Sequence, residues 1–137
     1  MKRATIFILA IALISVLAAT PAMAGTRTIE LSAGSPQLYD AWGMAATNTR
    51  GRVERFMVRT DASLPNGSVV VVSIEVADPP GLTKWIDVAR AEIQLGTAMV
   101  IFNNRDHISP VFPVNEVLRV RVSYRGKAFL SGDFSRF

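Results

Sequence analysis

Seven residues near the C-terminal end limit the fold most. In Leu118-Arg119-Val120-Arg121-Val122-Ser123-Tyr124 the apolar side chains fall on every second position, with arginine and serine between them. A period of two belongs to a β-strand with one dry and one wet face; a helix would scatter these side chains around its circumference. Val69–Val76 predicts a second strand. It is apolar on both faces at its start, and only Ser73 and Glu75 break its odd-numbered side, so it is expected at the centre of a sheet. Val53–Thr60 predicts a third, with Phe56 and Val58 inward.

Turn chemistry divides these strands. Leu64-Pro65-Asn66-Gly67-Ser68 combines a proline that presets φ with an Asn-Gly pair that tolerates positive φ. It predicts a reversal that makes Val53–Thr60 and Val69–Val76 an antiparallel hairpin. Asp78-Pro79-Pro80-Gly81 ends the second strand, because proline cannot donate to a ladder. Gly126-Lys127 separates Leu118–Tyr124 from a terminal partner at Ala128–Phe134, and Asn103–Asp106 and Ser109–Pro113 read as loops. Leu82–Leu95 carries two signals. Leu82, Trp85, Ile86, Ala89 and Ile93 fit a helical stripe, whereas Ala91, Ile93 and Leu95 alternate with Glu92 and Gln94. A strand reversing at Gly96-Thr97 into Ala98–Phe102 suits the short strands around it. Ser32–Gly51 has no assignable backbone, although Tyr39, Trp42 and Met44 are expected to cover one edge of the core.

The N-terminal segment reads as an export signal. Lys2 and Arg3 precede an apolar run from Ala4 to Ala19, then Pro21 and Ala22-Met23-Ala24. Small residues at Ala22 and Ala24 suit cleavage before Gly25, giving residues 1–24 as signal and 25–137 as one domain. An uncleaved anchor is the alternative, since the apolar run is almost long enough to span a bilayer. Cleavage also alters the charge argument. The chain carries 15 basic and 11 acidic residues, but Lys2 and Arg3 would leave with the signal, so the high isoelectric point is no argument for nucleic acid. With no cysteine anywhere, disulfides, thiolate chemistry and a cysteine zinc site are excluded.

The layout resembles small bacterial envelope proteins with an immunoglobulin-like or transthyretin-like β-sandwich and no assigned activity. The resemblance rests on Leu64–Ser68 followed by a valine run, the glycine turn at Gly96, and Phe112-Pro113 leading into Leu118–Tyr124. Val117 departs from it, standing where an aromatic usually opens the penultimate strand. It implies an all-β, antiparallel, immunoglobulin-like sandwich of about seven short strands, and it brings no site residues.

Candidate chemistry is sparse. His107 is the sole histidine, and with Asp106 and Ser109 it has the residue types of a triad. Chain neighbours seldom meet in triad geometry, however, and no strand-turn-helix nucleophile motif accompanies them. No metal site, catalytic residue or cofactor is expected. Arg119 and Arg121 share a wet face, as do Arg55 and Arg59. If their strands are neighbours, four guanidinium groups form a strip for sulfate, phosphate or carboxylate; otherwise they pair with Glu75, Glu92 or Glu54. Trp85 and Trp42 are candidate stacking platforms for sugars, or else edge covers. Asn66-Gly67-Ser68 fits a glycosylation acceptor that the turn already explains. Phe137 sits where an outer-membrane barrel strand ends, but Ser131, Asp133 and Ser135 occupy the positions that would face lipid. The expectation is a non-catalytic, periplasmic or secreted binding module, with no stable membrane insertion after cleavage. Its partner would be an envelope protein or an anionic polysaccharide, met through Arg119, Arg121, Arg55, Arg59 and Trp85. The alternatives are a small hydrolase, an enzyme inhibitor presenting Asp78–Gly81, or a subunit that accepts a strand from another chain.

Overall fold

The structure is a computed structural model, which describes residues 25–34, 36–105 and 108–134. The expected signal and cleavage site at Ala22 and Ala24 lie outside the described residues, as do Asp106, His107 and Phe137. Eight strands follow in chain order: β1 (Gly25–Ala33), β2 (Ala41–Arg50), β3 (Val53–Ala62), β4 (Val69–Asp78), β5 (Leu82–Glu92), β6 (Thr97–Asn103), β7 (Arg119–Tyr124) and β8 (Lys127–Asp133). A 3-10 turn at Val114–Glu116 lies between β6 and β7. All ladders are antiparallel, in the order β5-β4-β7-β8-β1-β2-β3-β6. The all-β antiparallel expectation holds, with eight strands where about seven were expected.

The sheet folds over on itself into a nearly closed sandwich. One layer is β1-β2-β3-β6 and the other β5-β4-β7-β8, joined only where Ser32 and Ala33 of β1 pair with Ser131 and Leu130 of β8. Three consecutive strands stay in the first layer; an immunoglobulin constant-type order would instead move the third across. Val70, Val72, Ile74 and Val76 of β4 meet Val120 and Val122 of β7 and Phe56 and Val58 of β3 in one core. Phe56, Phe102 and Phe112 close one end edge-to-face or tilted, at centroid distances of 5.3–6.3 Å, beside the fully buried Val114. At the other end Tyr39 packs edge-on against Tyr124 and Phe129, as expected of it, whereas Trp42, 42% exposed, and Met44 lie on the outward face of β2 and do not cover the core.

Two expected hairpins are corrected. β3 and β4 are not neighbours: β3 pairs with β2 and β6, and β4 with β5 and β7. The reversal at Leu64–Ser68 exists, with Ser68 N–H donating to the Pro65 carbonyl, but it carries the chain from one layer to the other. Leu82–Leu95 is extended, as the alternation argued, yet β5 does not form a ladder with β6. Gln94 and Thr97 bridge across Leu95-Gly96 and the strands then diverge, β5 to β4 and β6 to β3. In both cases turn residues specify a local reversal, while burial of the flanking apolar faces selects the partner. The β7–β8 hairpin at Arg125-Gly126 is as expected. There the register shift between Val122 and Ser123 marks a bulge that turns both Phe129 and Leu130 inward.

The corner between β1 and β8 depends on Gly132. A Cβ there would meet Leu31 Cδ2 at 2.7 Å, Ile29 Cδ1 at 2.8 Å and the Glu30 carbonyl oxygen at 3.0 Å. Gly132→Ala is expected to lower stability by about 1–3 kcal/mol as the corner is forced apart. Leu95 presents the reverse case, 91% exposed at φ +53°. Leu95→Asn should raise stability by about 0.5–1 kcal/mol, recovering part of what the left-handed region costs a branched side chain. Urea unfolding of both variants checks the opposite signs.

Candidate functional site

Outward-facing residues of the β5-β4-β7-β8 layer line up across the strands. One row reads Trp85, Glu75, Arg119, Asp133, and the next reads Asp87, Ser73, Arg121, Ser131. β4 is the middle of these rows and is buried on both faces: Ser73 is 2% exposed and Glu75 6%. A carboxylate so enclosed must be paired. Arg119 supplies two bonds, Nε to Glu75 Oε1 at 2.6 Å and Nη2 to Oε2 at 2.8 Å, and Thr83 Oγ1 donates a third to Oε2 at 2.9 Å. The Arg119 bond holds the Glu75 carboxyl below its ordinary value, against the opposing effect of burial. The same bond raises Arg119. Beside it, Ser73 Oγ donates to Asp87 Oδ1 at 2.6 Å.

Arg121 is placed differently. Its guanidinium carbon lies 4.1 Å from the centre of the Trp85 ring, against 5.4 Å for Arg119. Its Nε is buried without a hydrogen-bond acceptor, and among the described residues it forms no ion pair. Arg121 is therefore oriented by cation–π contact with Trp85, while Arg119 is committed to Glu75.

These side chains floor an open groove of about 720 Å³. Trp85 bounds one side, and β1 bounds the other with Thr28, Glu30 and Ser32; Ser131, Gly132 and Asp133 of β8 complete the floor. Glu30 is fixed from outside by the Trp42 indole, whose N–H donates to Oε2 at 3.0 Å. The groove exists because β1 and β8 pair only at Ser32–Ser131 and Ala33–Leu130 and then part.

The four arginines named from sequence do not converge. Arg55 and Arg59 stand on β3, and β8, β1 and β2 lie between it and β7. The four-membered strip is thus not assembled, because its condition, neighbouring strands, is not met. Arg59 pairs locally with Asp61 at 3.3 Å on the outer face of the first layer. Trp85 does reach Arg119 and Arg121, but as a platform for guanidinium rather than as a bare face. Glu75 was foreshadowed by its position in a valine run, whereas Glu30 and Asp133 gave no signal in the chain. Arg27 also went unnoticed. It points inward, with Nε on Thr47 Oγ1 at 3.2 Å, Nη2 on the Val114 carbonyl at 3.3 Å and its carbon 4.7 Å over Phe134, and burial lowers its pKa. Asn66 Oδ1 accepts the Leu95 N–H at 2.8 Å, a structural use for the residue of the glycosylation motif.

Among the described residues no cluster of three His, Cys, Asp or Glu could hold a metal ion, and no helix is long and apolar enough to cross a membrane. No family model, curated protein or solved structure matches the chain. What stands on observation is an antiparallel all-β fold with an arginine-bearing outer face suited to binding.

Glu75 gives that face a pH signature. Its carboxyl is held below the ordinary glutamate value of about 4.3 by Arg119. The stabilisation is therefore complete above that value and is lost as pH falls through the depressed one. Glu75→Gln should cost roughly 1–2 kcal/mol at neutral pH, less than a fully buried pair because Arg119 is half exposed and regains water. The gap between wild type and variant should stay constant down to about pH 5 and close as the pH falls below about 4. Urea titrations across that range check it.

Proposed function

We propose that this chain is an exported, non-catalytic binding module of the bacterial envelope, periplasmic or secreted after cleavage before Gly25. It recognises an anionic polysaccharide or an envelope protein through the groove floored by Arg119 and Arg121. The observation that carries this reading is Arg121: a cation laid on Trp85, facing an open groove, with one donor desolvated and no acceptor. A guanidinium already held in place on Trp85 at the groove offers an anionic ligand a cation at little ordering cost. Arg119 serves as its frame. The strand-exchange alternative is less favoured, because β5, whose outer edge has no ladder partner, carries Lys84 and a bulge opposite Val72 and Ser73, both of which discourage strand addition.

The test is to express the full chain with its signal, immobilise the exported product and expose it to envelope extract, beside Arg121→Gln. Arg121 is the residue to change, since altering Arg119 would strand the buried Glu75. Wild type should retain an acidic polymer or a defined protein, and Arg121→Gln should bind it about ten- to hundred-fold more weakly at an unchanged melting temperature. Equal retention by both would remove the groove from the function, and retention by neither would remove the binding reading.

A further inference from the structure

We infer that the outer face of the β1-β2-β3-β6 layer carries a second site, in which the thioethers of Met44, Met57 and Met99 hold a soft monovalent cation, copper(I). Methionine is ordinarily a core residue, yet among the described residues no buried apolar side chain is a methionine. The three methionines of the described residues stand instead on strands of one layer, at positions that alternate with buried ones. Met44 lies between Gly43 and Ala45, Met57 between Phe56 and Val58, and Met99 between Ala98 and Val100. They therefore share the outward face, Met44 and Met57 half-buried and Met99 45% exposed.

Strand register brings them together. Met44 of β2 and Met99 of β6 both lie opposite Arg59 of β3, one on each side, and Met57 is the outward residue two places before Arg59. Met57 is thus the diagonal neighbour of both other methionines, at the spacing of about 7–8 Å that long side chains bridge. Ala46, opposite Met57 on β2, is small and leaves the approach from Met44 clear. Arg59 is drawn off in the other direction. Its Nε is held on Asp61 Oδ1 at 3.3 Å, on the side away from Met57, and Thr97 Oγ1 donates to the same oxygen at 2.7 Å.

The donor set selects the ion. Thioether sulfur is a soft, neutral donor that suits copper(I), whereas magnesium and calcium need several oxygen ligands. Among the described residues no cluster of three His, Cys, Asp or Glu offers a harder site. The bordering charges balance: Glu30 beside Met44 and Asp61 beyond Arg59 stand against Arg59 and Arg55. Attraction therefore rests on sulfur, and a monovalent ion brings the least charge onto a face with no excess of carboxylate. Unlike cysteine or histidine, a thioether has no proton to lose before it binds.

Anaerobic titration of the exported product of the full chain with copper(I) tests this, read by competition with the chelator bicinchoninate and by the methionine methyl resonances. One ion should bind per chain, and the methyl signals of Met44, Met57 and Met99 should shift together and stop at one equivalent. Met57→Leu keeps volume and apolarity. It should bind at least about tenfold more weakly at a nearly unchanged melting temperature, because the donor between the other two is lost. Met99→Leu should do the same. His107→Gln should leave binding unchanged, and so should Arg121→Gln, which separates this site from the groove. Any of four results would overturn it: no binding, methyl signals that saturate separately, Met57→Leu binding as well as wild type, or loss of binding in His107→Gln.

Discussion

At Gly132 the backbones of β1 and β8 come so close that a methyl group would sit 3.0 Å from the Glu30 carbonyl oxygen and nearer still to the methyls of Ile29 and Leu31. That contact makes one eight-stranded sheet into two packed layers. Without it β1 could not lay Ile29 and Leu31 into the core that the opposite layer lines with Val120 and Leu130. The same corner creates the groove, because strands that part after two residue pairs leave their outward side chains facing across a gap. Core and candidate site thus share one geometric cause.

The second constraint is the double burial of β4. Its even-numbered residues fill the core, and its odd-numbered face lies under Trp85, Arg119 and Arg121, which encloses Ser73 and Glu75. A carboxylate in that position has to be matched, and the match takes Arg119 out of play as a ligand-binding charge. The four-arginine strip expected from the sequence becomes a groove in which Arg119 is paired with Glu75 and Arg121 is seated on Trp85.

Particular residues show how much of this was legible in the chain. Leu118–Tyr124 and Val69–Val76 declared themselves because alternation and a run of β-branched residues reflect which faces meet water, and that is a local property. β1 and β2 did not. Gly43, Ala45 and Thr47 face inward in β2, small residues that leave no apolar stripe to see, and Gly43 is small because a Cβ would press on the Arg59 carbonyl oxygen at 2.9 Å. Glu75 was visible as an interruption in a valine run, but its partner was not, since Arg119 lies in another hairpin. Glu30 and Asp133 were invisible as site residues because each lies on an ordinary wet strand face until the corner brings them together.

The sequence by itself determined the antiparallel β class, the reversals at Leu64–Ser68, Asp78–Gly81, Gly96 and Gly126, the central role of β4, the exclusion of cysteine chemistry and the placing of Arg119 with Arg121 on one face. These follow from side-chain periodicity and turn stereochemistry, which act over a few residues. Only the tertiary structure decided that the turns at Asn66-Gly67 and Leu95-Gly96 cross between layers instead of closing hairpins. It alone parted Arg55 and Arg59 from Arg119 and Arg121, and set Arg121 on Trp85 in a groove walled by β1. Strand partners are chosen by the burial of whole faces, and that choice joins residues far apart in the chain that no local rule connects.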